Sequence, residues 1–517
     1  MATEPTVEQY HGWIQAAERE ATANPAAYRR KVGLFAALGY AYVFTLLAVV
    51  AMGVAGIVFA LFFREGAGAI FALAKLGVIL LIFGGMIVSA LWVTFDEPQG
   101  TPVDAGKFPT LVAEIDDLRK RLATIPIHRT IIVPEFNAFV SQTPRLGVFG
   151  WQRNTLALGL ELMLTLSPQE MRAVIAHELG HLSRNHSKFS GWIYRVRRTW
   201  ANLFVKFKEN TRLGAGLINR FFYWYIPRFD AYSFALRRQN EYEADAASAE
   251  LTSRETAGAA LVKVDIIGAH LNHRYWRDFY AQTLHSQEPQ RMAFAALAHD
   301  LRAVPLDPDH VAGYRQSALA QETGFEDTHP SLVDRLKGLG LEPASFAAIP
   351  LDLSASAAVE WLGAELPRLI AEFDEAWWRQ NGDGWRSRHQ ELQDELAEMR
   401  DLSARPAQSL EDMQLWRLGA LTARHVGEAE ALNVFRTYQM RVPGDFDANI
   451  VIGRFLRNAD DAGCLDEWRA IPRDHAGFVE ANVEAAEFLE ARGRSEEAAR
   501  HLAVARERAA ERQSSAA

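Results

Sequence analysis

The chain has 517 residues, 49% apolar and 23% charged, a globular composition that excludes wholesale disorder. Its net charge of −9 carries no basic excess, so nothing in it points to nucleic acid as a partner. Cys464 is the only cysteine, which excludes an internal disulfide and a Cys-rich zinc ribbon.

Residues 1–31 read as a polar, helix-prone tail. Val32 to Phe63 and Leu76 to Phe95 then contain no Asp, Glu, Lys or Arg, and the connector between them carries Arg64, Glu65 and Lys75. Each run reaches the roughly 20 residues needed to cross a bilayer core, so 32–95 is expected to be a transmembrane helical hairpin. Arg29, Arg30 and Lys31 flank the first helix and outweigh Arg64 and Lys75. The positive-inside bias therefore expects a multi-pass protein of the inner cell membrane, with both its tail and everything after residue 95 in the cytoplasm.

Residues 97–109 are rich in Pro and Gly and read as a linker. Leu111, Ile115, Leu118 and Leu122 then fall at helical spacing. The stretches 129–134, 136–140 and 155–159 are short β-rich runs, so a small sheet is interleaved with helices, as in α+β folds. A helix starts at Ser167: serine as N-cap, Pro168 at the first helical position, and Glu170 completing a capping box. Met171, Ile175, Leu179 and Leu182 share its apolar face, leaving His177 and His181 on the other side. Residues 184–240 hold 12 Lys and Arg against two acids, Glu209 and Asp230, with aromatics interleaved. That mixture suits a segment lying on an anionic membrane face. Beyond 350 the chain reads as all helix. Leu418-Gly419 and Ile452-Gly453 are 34 residues apart, the period of a tetratricopeptide repeat. The expected fold is thus mainly α with a small sheet: tail 1–31, membrane hairpin 32–95, α+β domain 96–345, and a repeat-like helical region 346–517 able to hold a protein partner.

The chemistry concentrates in His-Glu-Leu-Gly-His. Histidines four apart on a helix can both bind one metal ion, and Glu178 beside the first can take a proton from metal-activated water. A catalytic zinc needs a third protein ligand and an open position. In QNEYEADAAS, Glu241 and Asp245 lie four apart on one helix face, with Glu243 on another. Paired with the upstream motif, Glu241 is the natural third ligand, and Asp245 would orient a ligand histidine through its other ring nitrogen.

Four ordered stretches, IIVPEFNAFV, LALGLELMLTLSPQEMRAVIAHELGHLSRNHSK, RRQNEYEADAAS and THPSLVDRLKGL, together resemble the HtpX and CAAX-prenyl-protease family of membrane zinc endopeptidases. The resemblance implies a gluzincin-type, zincin-like peptidase domain with one zinc ion per chain. It implies His177, His181 and Glu241 as ligands, Glu178 as base and Asp245 in support. Asn137, Ala138 and Phe139 would pair with substrate backbone as an added strand. His329 would help stabilise the oxyanion, with Arg335 in the same motif. The implied substrates are polypeptides, including misfolded membrane proteins in quality control. The chain departs from the family in two places. Residues between the zinc motifs lack further charge-free spans, and Ser331 stands where the family has a second proline. The rival reading is a membrane-tethered helical-repeat scaffold whose zinc site is structural or latent.

Overall fold

In this computed structural model residues 5–62, 67–91, 97–145, 152–182, 189, 192–193, 196–197, 200, 215–324, 327, 329–346 and 351–516 are described. His186 and most of 183–214 lie outside them. The chain divides into two compact units, Met1–Tyr280 with Arg291–Arg379, and Ala281–Gln290 with Gln380–Ala517.

The first unit begins with α1 (Val7–Ala23), entered through a capping box between Thr6 and Gln9. Asn24 then caps α2 (Pro25–Leu61), with Pro25 at the first helical position. α2 and α3 (Ala67–Leu91) are long and apolar enough to cross a membrane. Phe59, Phe62, Phe71, Leu81 and Ile82 on them are exposed, a surface that water would penalise and lipid would not. The first turns of α2 behave differently. Tyr28, Val32, Ala36 and Val43 are buried against Trp200, Phe222, Tyr225 and Phe229. Gly39 is required there, because a Cβ would sit 2.7 Å from the Tyr225 hydroxyl and 2.8 Å from the Trp200 ring. The described aromatics of the basic segment thus pack largely on α2, while Trp224 remains exposed.

Next come β1 (Thr101–Pro102), α4 (Pro109–Arg121), β2 (Arg129–Val133), β3 (Ala138–Pro144) and β4 (Gln152–Gly159). The sheet order is β1-β2-β4-β3, so β3 is an edge strand. β2 and β4 run parallel, and β3 pairs antiparallel with β4 from Ala138↔Leu158 to Pro144↔Gln152. β3 starts two residues later and ends four residues later than the apolar run suggests. Its last residues, Ser-Gln-Thr-Pro, are polar, which an edge strand tolerates. Gly159 ends β4 where no side chain fits: a Cβ would lie 1.9 Å from the Glu135 carbonyl oxygen.

α5 (Leu160–Thr165) follows and is buried throughout. Burial, reinforced by nearby Glu135, pushes the Glu161 carboxyl up to about 8. Its folded pKa exceeds its ordinary value of 4.5. Unfolding therefore releases a proton between those values, and stability falls as pH rises through that window. Glu161→Gln is expected to gain on wild type progressively from about pH 5 to pH 8, by on the order of a few kcal/mol at the upper end. Unfolding midpoints of both proteins at the two pH values check this, and identical midpoints at pH 8 would refute it.

α6 (Pro168–Gly180) forms as its local signals dictate. The Ser167 hydroxyl accepts from the Glu170 N–H, and the Glu170 carboxylate accepts from the Ser167 N–H at 2.8 Å. Met171, Ile175 and Leu179 are fully buried. α7 (Ala215–Leu251) is one continuous helix with Pro227 inside it, running from the aromatic cluster to the acidic motif. α8 (Arg254–His270) and the short α9 (Trp276–Ala281) follow. α10 (Ala293–Ala303), α11 (Pro308–Ala320), α12 (Leu332–Gly338) and α13 (Ala357–Leu362) complete this part. α14 (Leu366–Ala404) spans the division between the units.

The second unit is helical: α15 (Asp412–His425), α16 (Glu428–Arg441), α17 (Asp447–Asn458), α18 (Cys464–Arg469), α19 (Phe478–Glu490) and α20 (Ser495–Ala516). Gly419 and Gly453, the pair 34 residues apart, do the same job. A Cβ on Gly419 would lie 2.8 Å from the Phe435 ring, and one on Gly453 would lie 2.3 Å from the Trp468 ring. Each glycine lets the aromatic of a following helix approach. Cys464 is buried, and burial pushes its thiol up to about 11, so it is unreactive.

Candidate metal centre

α6 and α7 cross at Gly180. A Cβ there would sit 3.0 Å from Ala244 Cα, so only glycine lets the helices approach this closely. Ser248 locks the crossing by donating to the Ala173 carbonyl at 2.7 Å. The approach brings Glu241 under the two histidines. His177 Nε2 lies 3.6 Å from Glu241 Oε2, and His181 Nε2 lies 3.5 Å from Glu241 Oε1. Donor atoms of the three residues all fall within 4.8 Å of one another. Donors about 2.1 Å from a tetrahedral ion stand about 3.4 Å apart, so this set fits a small divalent metal.

Behind the ligands stands a second tier. Asp245 Oδ1 is 2.9 Å from His177 Nδ1. An ionised Asp245 requires Nδ1 to carry the proton, which leaves the Nε2 lone pair for a metal. Arg335 on α12 holds Asp245 with both arms, Nε to Oδ2 at 2.9 Å and Nη2 to Oδ1 at 2.6 Å. His329 Nδ1 lies 2.9 Å from Glu241 Oε2, so this residue touches the ligand carboxylate.

Electrostatics separate these groups. Burial pushes His177 down, but Asp245 and Glu241 together outweigh it and hold it at about 9. Burial and the neighbouring His177 lower His181 to about 4. Burial would raise Glu241, yet hydrogen bonds from His177 and His329 keep it well below the usual carboxylate range. Asp245 is likewise held low against burial by Arg335 and His177. Burial pushes Glu178 up to about 7, near where a general base works best.

Glu178 faces a cavity of about 480 Å³ that also contains Asn137, Ala138 and Phe139 at the head of β3, and His329. Asn137, Ala138, Phe139, His177, Glu178, His181, Asp245, His329 and Arg335 thus line one cleft, with Glu241 against the two histidines, while Glu243 pairs with Arg29. The Gly180–Ala244 contact escaped sequence reasoning, although a glycine inside a ligand helix facing an alanine-rich helix is the available signal. Gly180→Val is expected to part α6 from α7 and weaken metal binding at this site to a small fraction of wild type, read by titrating zinc into both purified proteins. Zinc binding in this variant equal to wild type would show that the close crossing is dispensable.

The model of peptidase family M48 matches residues 115–341. Proteases named HtpX are among the similar proteins. That of Psychrobacter sp. (strain PRwf-1) is 25% identical over 232 residues, covering 41% of this chain and 75% of the relative. Those of Acinetobacter baylyi and Acinetobacter baumannii (strain AYE) are 25% and 26% identical, each covering 55% of this chain and 93% of the relative. Among solved structures, Ste24p from S. mikatae aligns over 60% of this chain and 66% of its own, at 16% identity and a TM-score of 0.25. The matched residues hold the whole cleft, from the α4 helix through the ligand helices to Arg335, so the part of the chain that builds the site matches peptidase family M48 and is similar to proteases named HtpX.

Proposed function

We propose that the chain is a membrane-anchored zinc endopeptidase, cutting polypeptides, misfolded membrane proteins among them, at the cytoplasmic face of the membrane. The observation that carries this reading is the convergence of His177, His181 and Glu241 on one point, with Glu178 half-buried beside them in an open cleft. When bound there, zinc supplies Lewis-acid polarisation of the scissile carbonyl and acidifies the attacking water. Glu178 takes the proton of that water at its carboxylate and later hands it to the leaving amine. The free edge of β3 aligns substrate backbone, with Asn137, Ala138 and Phe139 beside the scissile bond. His329 has its Nδ1 on Glu241, and its other ring nitrogen can donate to the oxyanion. Arg335 and Asp245 hold His177 in one tautomer. A purely structural metal has no use for a non-ligating carboxyl that faces the cleft, which argues against the scaffold reading.

The basic flank supports the sidedness. Arg29, at the start of α2, pairs with Glu243 on the ligand helix at 2.5 Å, so the cleft lies on the side of the positive residues. The test uses the full chain in nanodiscs. About one zinc per chain, cleavage of an unfolded test protein, loss of cleavage on chelation and its return with zinc are expected. Bound zinc without any cleavage would instead favour the scaffold.

A further inference from the structure

One carboxylate of the cleft has no part in the chemistry above. α8 turns a single stripe toward the cavity, formed by Ala257, Ala260, Leu261, Val264 and Asp265 at spacings of three and four. The first four are apolar. Asp265 closes the stripe one turn before Gly268, where a Cβ would touch the Phe136 ring at 3.4 Å. It therefore stands at the end of the cleft where β3 begins.

Asp265 is exposed to the cavity, and the protein packed around it raises its pKa. Among the described residues no hydrogen bond or ion pair reaches its carboxylate. Arg335, the cation that acts on it through space, is committed to Asp245. Every other charged group lining the cavity belongs to the metal centre. A carboxylate with no protein partner among the described residues, at the end of an apolar stripe, offers an entering cation a charge-assisted hydrogen bond. The apolar walls suit the methylene stem of Lys or Arg, whose charged head would reach the carboxylate.

We propose that Asp265 determines specificity by selecting Lys or Arg in the substrate on the C-terminal side of the scissile bond. The proposal rests on the endopeptidase reading. An added strand antiparallel to β3, the more stable pairing, lays the C-terminal half of the substrate along Phe136–Ala138. That is the end where Asp265 stands.

The experiment maps the cuts made by the zinc-loaded full chain in an unfolded test protein, by mass spectrometry. Wild type is expected to show Lys and Arg enriched within the two residues after the cut. Asp265→Asn should lower kcat/KM on a Lys-containing peptide by on the order of 10-fold, with a neutral peptide cut as before. Asp265→Lys should turn the preference toward Asp and Glu. Wild-type cuts without basic enrichment would overturn the proposal and leave the endopeptidase standing, whatever the variants do. The same holds if both variants keep the wild-type pattern. A wild type that cuts nothing would sink both readings.

Discussion

Glu178→Gln is expected to lower kcat by on the order of 10³-fold or more while the protein keeps its full complement of zinc. Glu178 is not among the three convergent donors, so the metal does not depend on it. Its carboxylate accepts from the Val140 backbone N–H on β3, and glutamine keeps both that acceptor and the side-chain volume. What glutamine loses is the basic oxygen. Zinc content and cleavage rate measured on the same preparation separate the two effects. A variant that holds zinc and still cuts at the wild-type rate would remove Glu178 from the role of base.

Glu241→Gln should weaken zinc binding by 100-fold or more, beyond the roughly 10- to 100-fold that losing an outer partner costs. Glu241 is the only anionic member of the donor set. Its carboxylate also faces His177, His181 and His329, so all three lose their common partner at once. Glu243→Gln is the control. Glu243 lies two residues away on the same helix but pairs with Arg29, so its loss should leave zinc in place. Competition with a chelator of known affinity reads both variants. Equal zinc affinity in Glu241→Gln and wild type would displace Glu241 from the ligand set.

Much of the fold was legible because the signals are local. The capping box at Ser167 and Glu170 forms as its spacing requires, and Met171, Ile175 and Leu179 bury the face they share. The charge-free runs become long exposed helices. Where the structure adds something, the reason is a partner far along the chain. From Val32 to Val43 α2 is as free of charge as the turns beyond, yet this part packs on aromatics from 200–229. A stretch without charge reads the same whether its neighbour is lipid or a ring.

The sequence by itself determined which groups could do chemistry: two histidines and a glutamate on one helix, a second acidic pair on another, and two spans able to hold them at a membrane. Helical period and capping carry that information within a few residues. Tertiary structure alone decided how near the two helices come, since Gly180 against Ala244 brings together residues some 60 positions apart. It likewise decided that Asp265, an ordinary acid in an ordinary helix, faces the cleft with no partner among the described residues. A side chain's charge is written in its own residue, but its compensation depends on what folding places beside it.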